Sequence, residues 1–213
     1  MLLKTLVKTF ISLFVFSSYA QQESTSNTQV GIIPGVIEIA GISRNQDTDN
    51  TIHPAFAKTS RPCPPFCIQP TNPFYPAQVE MVTELDVIDT IKTIKSGDNS
   101  LLLVDARTSG WVEKGTIPGA INIPFTHFKK DKLAHDPMFV IQLLVEHFGV
   151  LHSHELLDFS QAKTLVLFCN GSWCEQSPLA IKALLKLGYP AAKLKYYRGG
   201  INNWHSLSLT ITE

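Results

Sequence analysis

Two short, unbroken apolar runs constrain the fold of this chain more than any other feature of its sequence. LLLVD begins at Leu101 and TLVLFC begins at Thr164, and polar or turn-forming residues bound both runs. Short runs without alternation are typical of strands that are buried on both faces, as in parallel sheets covered by helices. The sequence therefore predicts an α/β fold in which a central, mostly parallel sheet is flanked by helices.

Segments with helical spacing alternate with these runs. Apolar residues recur every three or four positions from Glu84, from about Pro137 and from Ser177, which is predicted to cap the third helix. Gly149 and Gly188 are expected to end the last two of these helices. Two further strands and a final helix are predicted from shorter patterns: GAINIPF, LKYYRG and INNWHSL.

The first 20 residues have the layout of a cleavable signal peptide. Lys4 and Lys8 form a basic start, an apolar stretch follows, and Ser18-Tyr19-Ala20 places small residues before a cut after Ala20. A retained membrane anchor is the alternative, but the uncharged stretch from Thr9 is shorter than the ~20 residues that span a bilayer. We therefore expect a periplasmic or secreted protein that has no membrane attachment after cleavage.

Composition divides the rest of the chain into three parts. Residues 21–60 are rich in polar side chains and are predicted to form a flexible linker, although an apolar patch from Val30 to Ile42 could pair as a strand. Residues 61–83 form an arm around CPPFC, whose prolines exclude a helix and favour an extended chain. Residues 84–213 contain the α/β pattern and are predicted to form one domain.

Charge and histidine content exclude some classes of function. The chain has 18 basic and 18 acidic residues, so no basic excess indicates a nucleic-acid surface and no nucleic-acid partner is expected. The pair at His152 and His154, near His147, could bind a metal, but histidines at the surface are the more common case. We expect no metal and no other cofactor.

Cys169 stands where a predicted parallel strand ends and a loop leads into a helix. Ligands gather at this end of parallel strands, and the N-terminus of the following helix favours an anion. A thiolate is an anion, so the position predicts a lowered pKa for Cys169 and a nucleophilic sulfur at neutral pH. The loop residues are expected to supply inward-facing amides or to line the substrate pocket: Asn170, Gly171, Ser172, Trp173, Glu175, Gln176 and Ser177. In the alternative interpretation, Trp173 is a packed aromatic side chain.

Three motifs occur in order around this cysteine. They are Asp105-x-Arg107, the turn Ile117-Pro118-Gly119-Ala120 followed by Asn122 and Pro124, and Arg198-Gly199-Gly200 followed by Trp204. With these motifs, the chain from Glu84 to about Leu209 resembles the rhodanese-like domain family. The whole chain, with its CPPFC segment, is also similar to a group of exported bacterial rhodanese-like proteins.

The resemblance implies a single α/β domain and a sulfurtransferase activity. Cys169 occupies the position of the family's catalytic cysteine, which takes sulfane sulfur from a donor such as thiosulfate. The persulfide's outer sulfur then passes to a nucleophile, so a sulfane-sulfur donor and a thiol acceptor are the expected partners. Asp105 is expected to end its strand and orient the local backbone, and Arg198 is expected to fix the final turn. Arg107 is expected to have a structural role, such as pairing with Asp105, and anion binding at the loop stays open for it.

The loop also departs from the usual pattern of the family. A typical loop carries a basic residue that helps to hold an anionic donor, but residues 170–176 contain no Arg or Lys, and Glu175 is acidic. This composition counts against thiosulfate turnover. It also counts against the phosphatase activity that occurs on this fold, because that activity needs an arginine after the cysteine.

The other three cysteines allow several interpretations. Cys174 could resolve a persulfide or sulfenic acid on Cys169, carry the sulfur itself, or pack as a small apolar residue. Cys63 and Cys67 could form a structural disulfide, a redox pair or a soft-metal site; four cysteines permit three connectivities. A bridge within CPPFC requires a turn, because an extended polyproline chain would hold the two residues about 12 Å apart.

Two functions besides sulfur transfer therefore stay open. The first is a thiol–disulfide oxidoreductase or redox sensor that uses Cys169 and Cys174. The second is a non-catalytic binding module that presents the proline-rich arm to a protein partner.

Overall fold

The structure is a computed structural model that describes residues 29–154 and 156–212. The predicted signal peptide and the first eight residues of the predicted linker lie outside these residues. Within the described parts of the chain, no helix is long and apolar enough to cross a membrane.

The described residues form nine strands, six α-helices and two short 3-10 helices. The strands are β1 (Glu38–Ile39), β2 (Ile42–Ser43), β3 (Glu80–Val82), β4 (Leu101–Asp105), β5 (Ile121–Asn122), β6 (Leu151–Ser153), β7 (Leu156–Asp158), β8 (Thr164–Phe168) and β9 (Leu194–Tyr197). The α-helices are α1 (Glu84–Lys95), α2 (Ser109–Val112), α3 (Lys130–His135), α4 (Pro137–Phe148), α5 (Gln176–Lys186) and α6 (Gly200–Ser206), and the 3-10 helices are Phe125–Phe128 and Ala191–Lys193.

A five-stranded sheet in the order β3-β9-β8-β4-β5 forms the centre of the molecule, and all of its pairings are parallel. The predicted α/β fold is therefore confirmed. In the register of the three inner strands, Phe168 pairs with Asp105 on one side and with Tyr197 on the other. The segments that follow these three residues, which contain the predicted site, therefore lie at one edge of the sheet.

Helices cover both faces of the sheet. Leu144 of α4 and Ile181 of α5 belong to one buried cluster, and Ile88 of α1 and Trp204 of α6 belong to the cluster on the other face. The predicted start and end of α4 are confirmed: Asp136 accepts a hydrogen bond from the Phe139 N–H, and the helix ends before a left-handed glycine. Two covered faces explain why β4 and β8 are apolar without alternation.

The start of α5 differs from the prediction. Glu175 occupies the capping position, and Ser177 lies inside the first turn, where it is fully buried. The Ser177 hydroxyl does not cap the helix but donates to the sulfur of Cys169 at 3.1 Å. The Cys169 sulfur takes the place of the helix backbone as the hydrogen-bond partner of this hydroxyl. The spacing of residues along the chain does not show that the two side chains meet.

The N-terminal segment also differs from its prediction as a flexible linker. From residue 29 onward it forms the β1–β2 hairpin, and Ile42 and Phe56 are buried at 0% and 2% exposure in the core cluster that includes Trp204. The segment is fastened to the C-terminal end of the chain: the Thr210 N–H donates to the Ser43 carbonyl. The prediction relied on the polar average composition of the segment. It therefore missed the few apolar side chains that complete this face of the core.

The arm turns sharply at CPPFC instead of running extended. The Phe66 N–H donates to the Pro62 carbonyl at 3.0 Å, and the Cα atoms of Cys63 and Cys67 are 4.7 Å apart. A disulfide joins these two cysteines. The structure therefore has the turn that a local bridge requires.

Candidate active site

Cys169 is the first residue after β8, and its side chain is only 1% exposed. Its sulfur accepts a hydrogen bond from the Ser177 hydroxyl, and in the protonated state it donates to the Cys174 carbonyl oxygen at 3.4 Å. The N–H of Ile201, in α6, donates to the Cys169 carbonyl. The loop is therefore fixed from two helices, α5 through the sulfur and α6 through the backbone.

Gly200 makes the contact with α6 possible. It has a φ of +58°, and a Cβ at this position would lie 2.3 Å from the Cys169 carbonyl oxygen. No other residue fits at that distance, so the Arg-Gly-Gly motif includes a glycine where two backbone segments meet.

Two opposing effects act on the pKa of Cys169. Burial raises it, but hydrogen bonds from the Cys174 thiol, from the Ser177 hydroxyl and N–H, and from the Gly171 N–H together lower it below its ordinary value. These donors stabilise the thiolate and are the kind of cradle that a nucleophilic cysteine needs. Of the loop amides that the sequence suggested, the structure brings those of Gly171 and Ser177 to this sulfur.

Cys174 has the opposite electrostatic environment. Burial, its hydrogen bond to Cys169 and the charge of the Cys169 thiolate raise the pKa of Cys174, and they outweigh the N–H groups of Gln176 and Asn170, which lower it. Cys174 therefore stays protonated and donates to its neighbour. The two thiols differ in protonation, as required of a nucleophile and its proton-donating partner.

The remaining loop residues lie farther from the sulfur. The Ser172 carbonyl accepts from the Gln69 N–H at 2.8 Å, which attaches the loop to the arm. Trp173 is half-buried and packs edge-on against Phe66 of the arm. Glu175 is exposed, and the buried Oε1 of Gln176 has no hydrogen-bond partner within the described residues.

Asp105 and Arg107 form a fully buried ion pair with an Nη2–Oδ2 distance of 2.6 Å. The same Nη2 donates to the Gly115 carbonyl, and Thr116 donates to the Asp105 carboxylate. At 3.4 Å, Arg107 Nη1 also reaches the side chain of Asn170, the residue after the nucleophile. Most of its donors are used within the fold, which supports a structural role.

Arg198 supports the arm, whereas the sequence suggested that it fixes the final turn. Its Nη2 donates to the Gln69 carbonyl at 2.7 Å. Because the N–H of Gln69 donates to the Ser172 carbonyl, this one residue links the end of β9 with the loop after β8.

Sequence reasoning missed two side chains at this edge. Tyr196 on β9 has a buried hydroxyl, and burial followed by the charge of the Cys169 thiolate raises its pKa. The hydroxyl is close enough to Ser177 to interact with it, although no bond within ordinary geometric limits forms. Arg61 lies against Trp173, with 4.0 Å between the guanidinium carbon and the ring centroid. Strand order and the path of the arm place these two groups, and neither leaves a signal in the sequence.

The fold and the site define an α/β protein with a buried, activated cysteine at the end of a central parallel strand. The profile of the rhodanese-like domain family matches residues 88–207. The chain therefore belongs to the rhodanese-like domain family.

No curated protein matches the sequence. Among solved structures, similarity is found to a protein from Bacillus halodurans (20% identity, TM-score 0.42, 62% of this chain and 76% of that chain). A protein of unknown function from Rhodopseudomonas palustris, titled a possible tyrosine phosphatase, has 22% identity and a TM-score of 0.40 over 63% and 85% of the two chains. A rhodanese-related protein from Thermoplasma volcanium has 16% identity and a TM-score of 0.36 over 62% and 97%. Likenesses this distant carry no argument about function.

Proposed function

We propose that the chain is an exported sulfurtransferase that forms a persulfide on Cys169. One observation carries this proposal: the sulfur at the end of β8 accepts a hydrogen bond from the Ser177 hydroxyl at 3.1 Å, and its pKa is lowered. Members of the family often transfer sulfur, although many have no catalytic activity. A stabilised thiolate is what sulfur transfer requires, and it supports the first kind for this chain.

The proposed reaction has two displacement steps. The Cys169 thiolate attacks the outer sulfur of a donor, a new S–S bond forms, and the donor's S–S bond breaks as its remainder leaves with the electron pair. A thiolate acceptor then attacks the outer sulfur of the persulfide, which regenerates the Cys169 thiolate. The N–H groups that stabilise the thiolate also stabilise this group when it leaves in the second step.

Access to the sulfur sets a requirement on this mechanism. Because Cys169 is 1% exposed, a donor reaches it only when the loop or the arm that covers the loop shifts. The contacts of Gln69 with Ser172 and with Arg198 are the ones that such a shift would break.

Mass spectrometry of the protein after incubation with a sulfane-sulfur donor tests the proposal. We expect a gain of about 32 Da, one sulfur atom, on the peptide that contains Cys169. The gain should persist in Cys174→Ser and disappear in Cys169→Ser. An unmodified Cys169 after incubation with thiosulfate, polysulfide and an alkyl persulfide would refute it.

A redox function is the second candidate, and the position of Cys174 beside Cys169 favours it: the Cys169 thiol lies 3.4 Å from the Cys174 carbonyl oxygen. A low-pKa thiolate beside a protonated thiol is the arrangement of many disulfide-exchanging pairs. The same peptide map, run without reduction, separates the candidates. A Cys169–Cys174 disulfide in place of the persulfide would identify the redox function.

Export is part of the proposal and rests on the sequence of residues 1–20. N-terminal sequencing of the protein made by its native host is the direct test. We expect the mature chain to begin at Gln21; a chain that retains Met1 would contradict export by this signal.

A further inference from the structure

Arg61 of the arm lies in an aromatic environment beside the catalytic loop. Its guanidinium carbon is 4.0 Å from the ring centroid of Trp173, 5.6 Å from that of Phe66 and 6.0 Å from that of Trp111. Aromatic faces stabilise a guanidinium through its own face and leave the N–H groups at its edge free to donate.

In the part of the chain that the structure describes, two nitrogens at the edge of this guanidinium have no partner. Nε and Nη2 of Arg61 are buried and form no hydrogen bond within the described residues, and none of the ion pairs found there involves Arg61. These two nitrogens form the side of the guanidinium that binds two oxygens of an oxyanion at once. Buried N–H donors without an acceptor are costly, so the arrangement suits a site that an anion completes.

This guanidinium is also close to the groups that hold the nucleophile. Trp173, on which Arg61 lies, places its Nε1 3.5 Å from the point where a Cβ on Gly171 would stand. The Gly171 N–H is one of the donors to the Cys169 sulfur. The Trp173 indole therefore contacts both the guanidinium of Arg61 and Gly171, which lies two residues after Cys169.

We propose that Arg61 supplies the cation that the catalytic loop lacks and binds the oxyanion of an anionic sulfur donor. This inference rests on the proposed function and names the class of its donor, with thiosulfate as the probe. The Cys169 thiolate attacks the outer sulfur of thiosulfate, the S–S bond breaks, and sulfite leaves with the electron pair while Arg61 binds its oxygens. The specificity-determining residue then comes from the arm, outside the region that the family profile matches.

Persulfide formation by matched variants tests the role of Arg61. Arg61→Gln should lower the rate at limiting thiosulfate by about ten- to a hundredfold, as expected for a lost hydrogen bond to a charged group. The loss with 2-hydroxyethyl persulfide, which has no oxyanion, should be at least roughly fivefold smaller, because its single neutral hydroxyl cannot bind the two nitrogens as a charged pair of oxygens does. Arg61→Lys should recover part of the thiosulfate rate, and Lys58→Gln, which removes an exposed cation of the neighbouring segment, should change neither rate.

Direct binding separates this inference from the proposed function. Cys169→Ser cannot form a persulfide, so calorimetric titration of this variant with thiosulfate measures the anion site alone. We expect saturable binding that disappears in the Arg61→Gln, Cys169→Ser double variant. Absent binding, binding that does not depend on Arg61, or equal losses with both donors would overturn the inference; a wild-type protein that binds thiosulfate but forms no persulfide would refute only the proposed function.

Discussion

Cys169 shows how two opposing effects determine the chemistry of one residue. Burial by itself would keep its thiol protonated and unreactive, as is usual for structural cysteines. Four hydrogen bonds to its sulfur reverse that outcome and lower the pKa. The neighbouring Cys174 is also buried, but it lacks the hydroxyl donor and faces a thiolate, so its pKa rises.

His205 provides a test of burial at the residue scale. Burial first, and then the nearby charges of His53 and Arg107, lower its pKa to about 4. An unfolded histidine titrates near 6.5, so the unfolded chain binds more protons between these values, and stability must fall as the pH decreases from about 6.5 to 4. We expect the melting temperature of wild type to fall by a few degrees more between pH 7 and pH 5 than that of His205→Gln. Circular dichroism measures the two melting temperatures. An equal fall in melting temperature for wild type and His205→Gln would contradict this assignment.

Among the secondary-structure elements, those with a strong local pattern were predictable. The apolar runs of β4 and β8 and the periodic spacing in α1 and α4 each carry their own signal. The two-residue strands β1 and β2 carry none, because their pairing depends on a tight turn and their burial depends on the far end of the chain. The burial of Ile42 and Phe56 was missed for the same reason.

Phe56 tests whether this N-terminal segment belongs to the folded domain. It is 2% exposed and packs against His205 with ring centroids 4.3 Å apart. Phe56→Ala should reduce the free energy of unfolding by about 3–5 kcal/mol, the usual cost of removing a buried phenyl group. Ile68→Ala is the matched control: its side chain is 84% exposed, and its effect should be within about 0.5 kcal/mol. A change of under about 1 kcal/mol for Phe56→Ala in urea denaturation would show that the segment folds apart from the core.

At the scale of the whole molecule, the site combines segments that are distant in sequence. Local order was sufficient to predict that Cys169 and the loop to Ser177 lie at the carboxyl edge of the sheet. It could not predict Arg61, Gln69 or Tyr196, which reach the loop through the path of the arm and the placement of β9 beside β8. The missing basic residue in the loop was visible in the sequence, but the cation near Trp173 was not.

The account depends most on the ionisation of Cys169, and a pH titration of thiolate absorbance in the ultraviolet measures it directly. Wild type should show a thiolate that titrates below the ordinary cysteine value of about 8.5 and is absent in Cys169→Ser. Ser177→Ala should move the midpoint upward, because it removes the hydroxyl that donates to the sulfur at 3.1 Å. A wild-type midpoint at or above the ordinary value, unchanged in Ser177→Ala, would contradict the claim that this loop activates its cysteine.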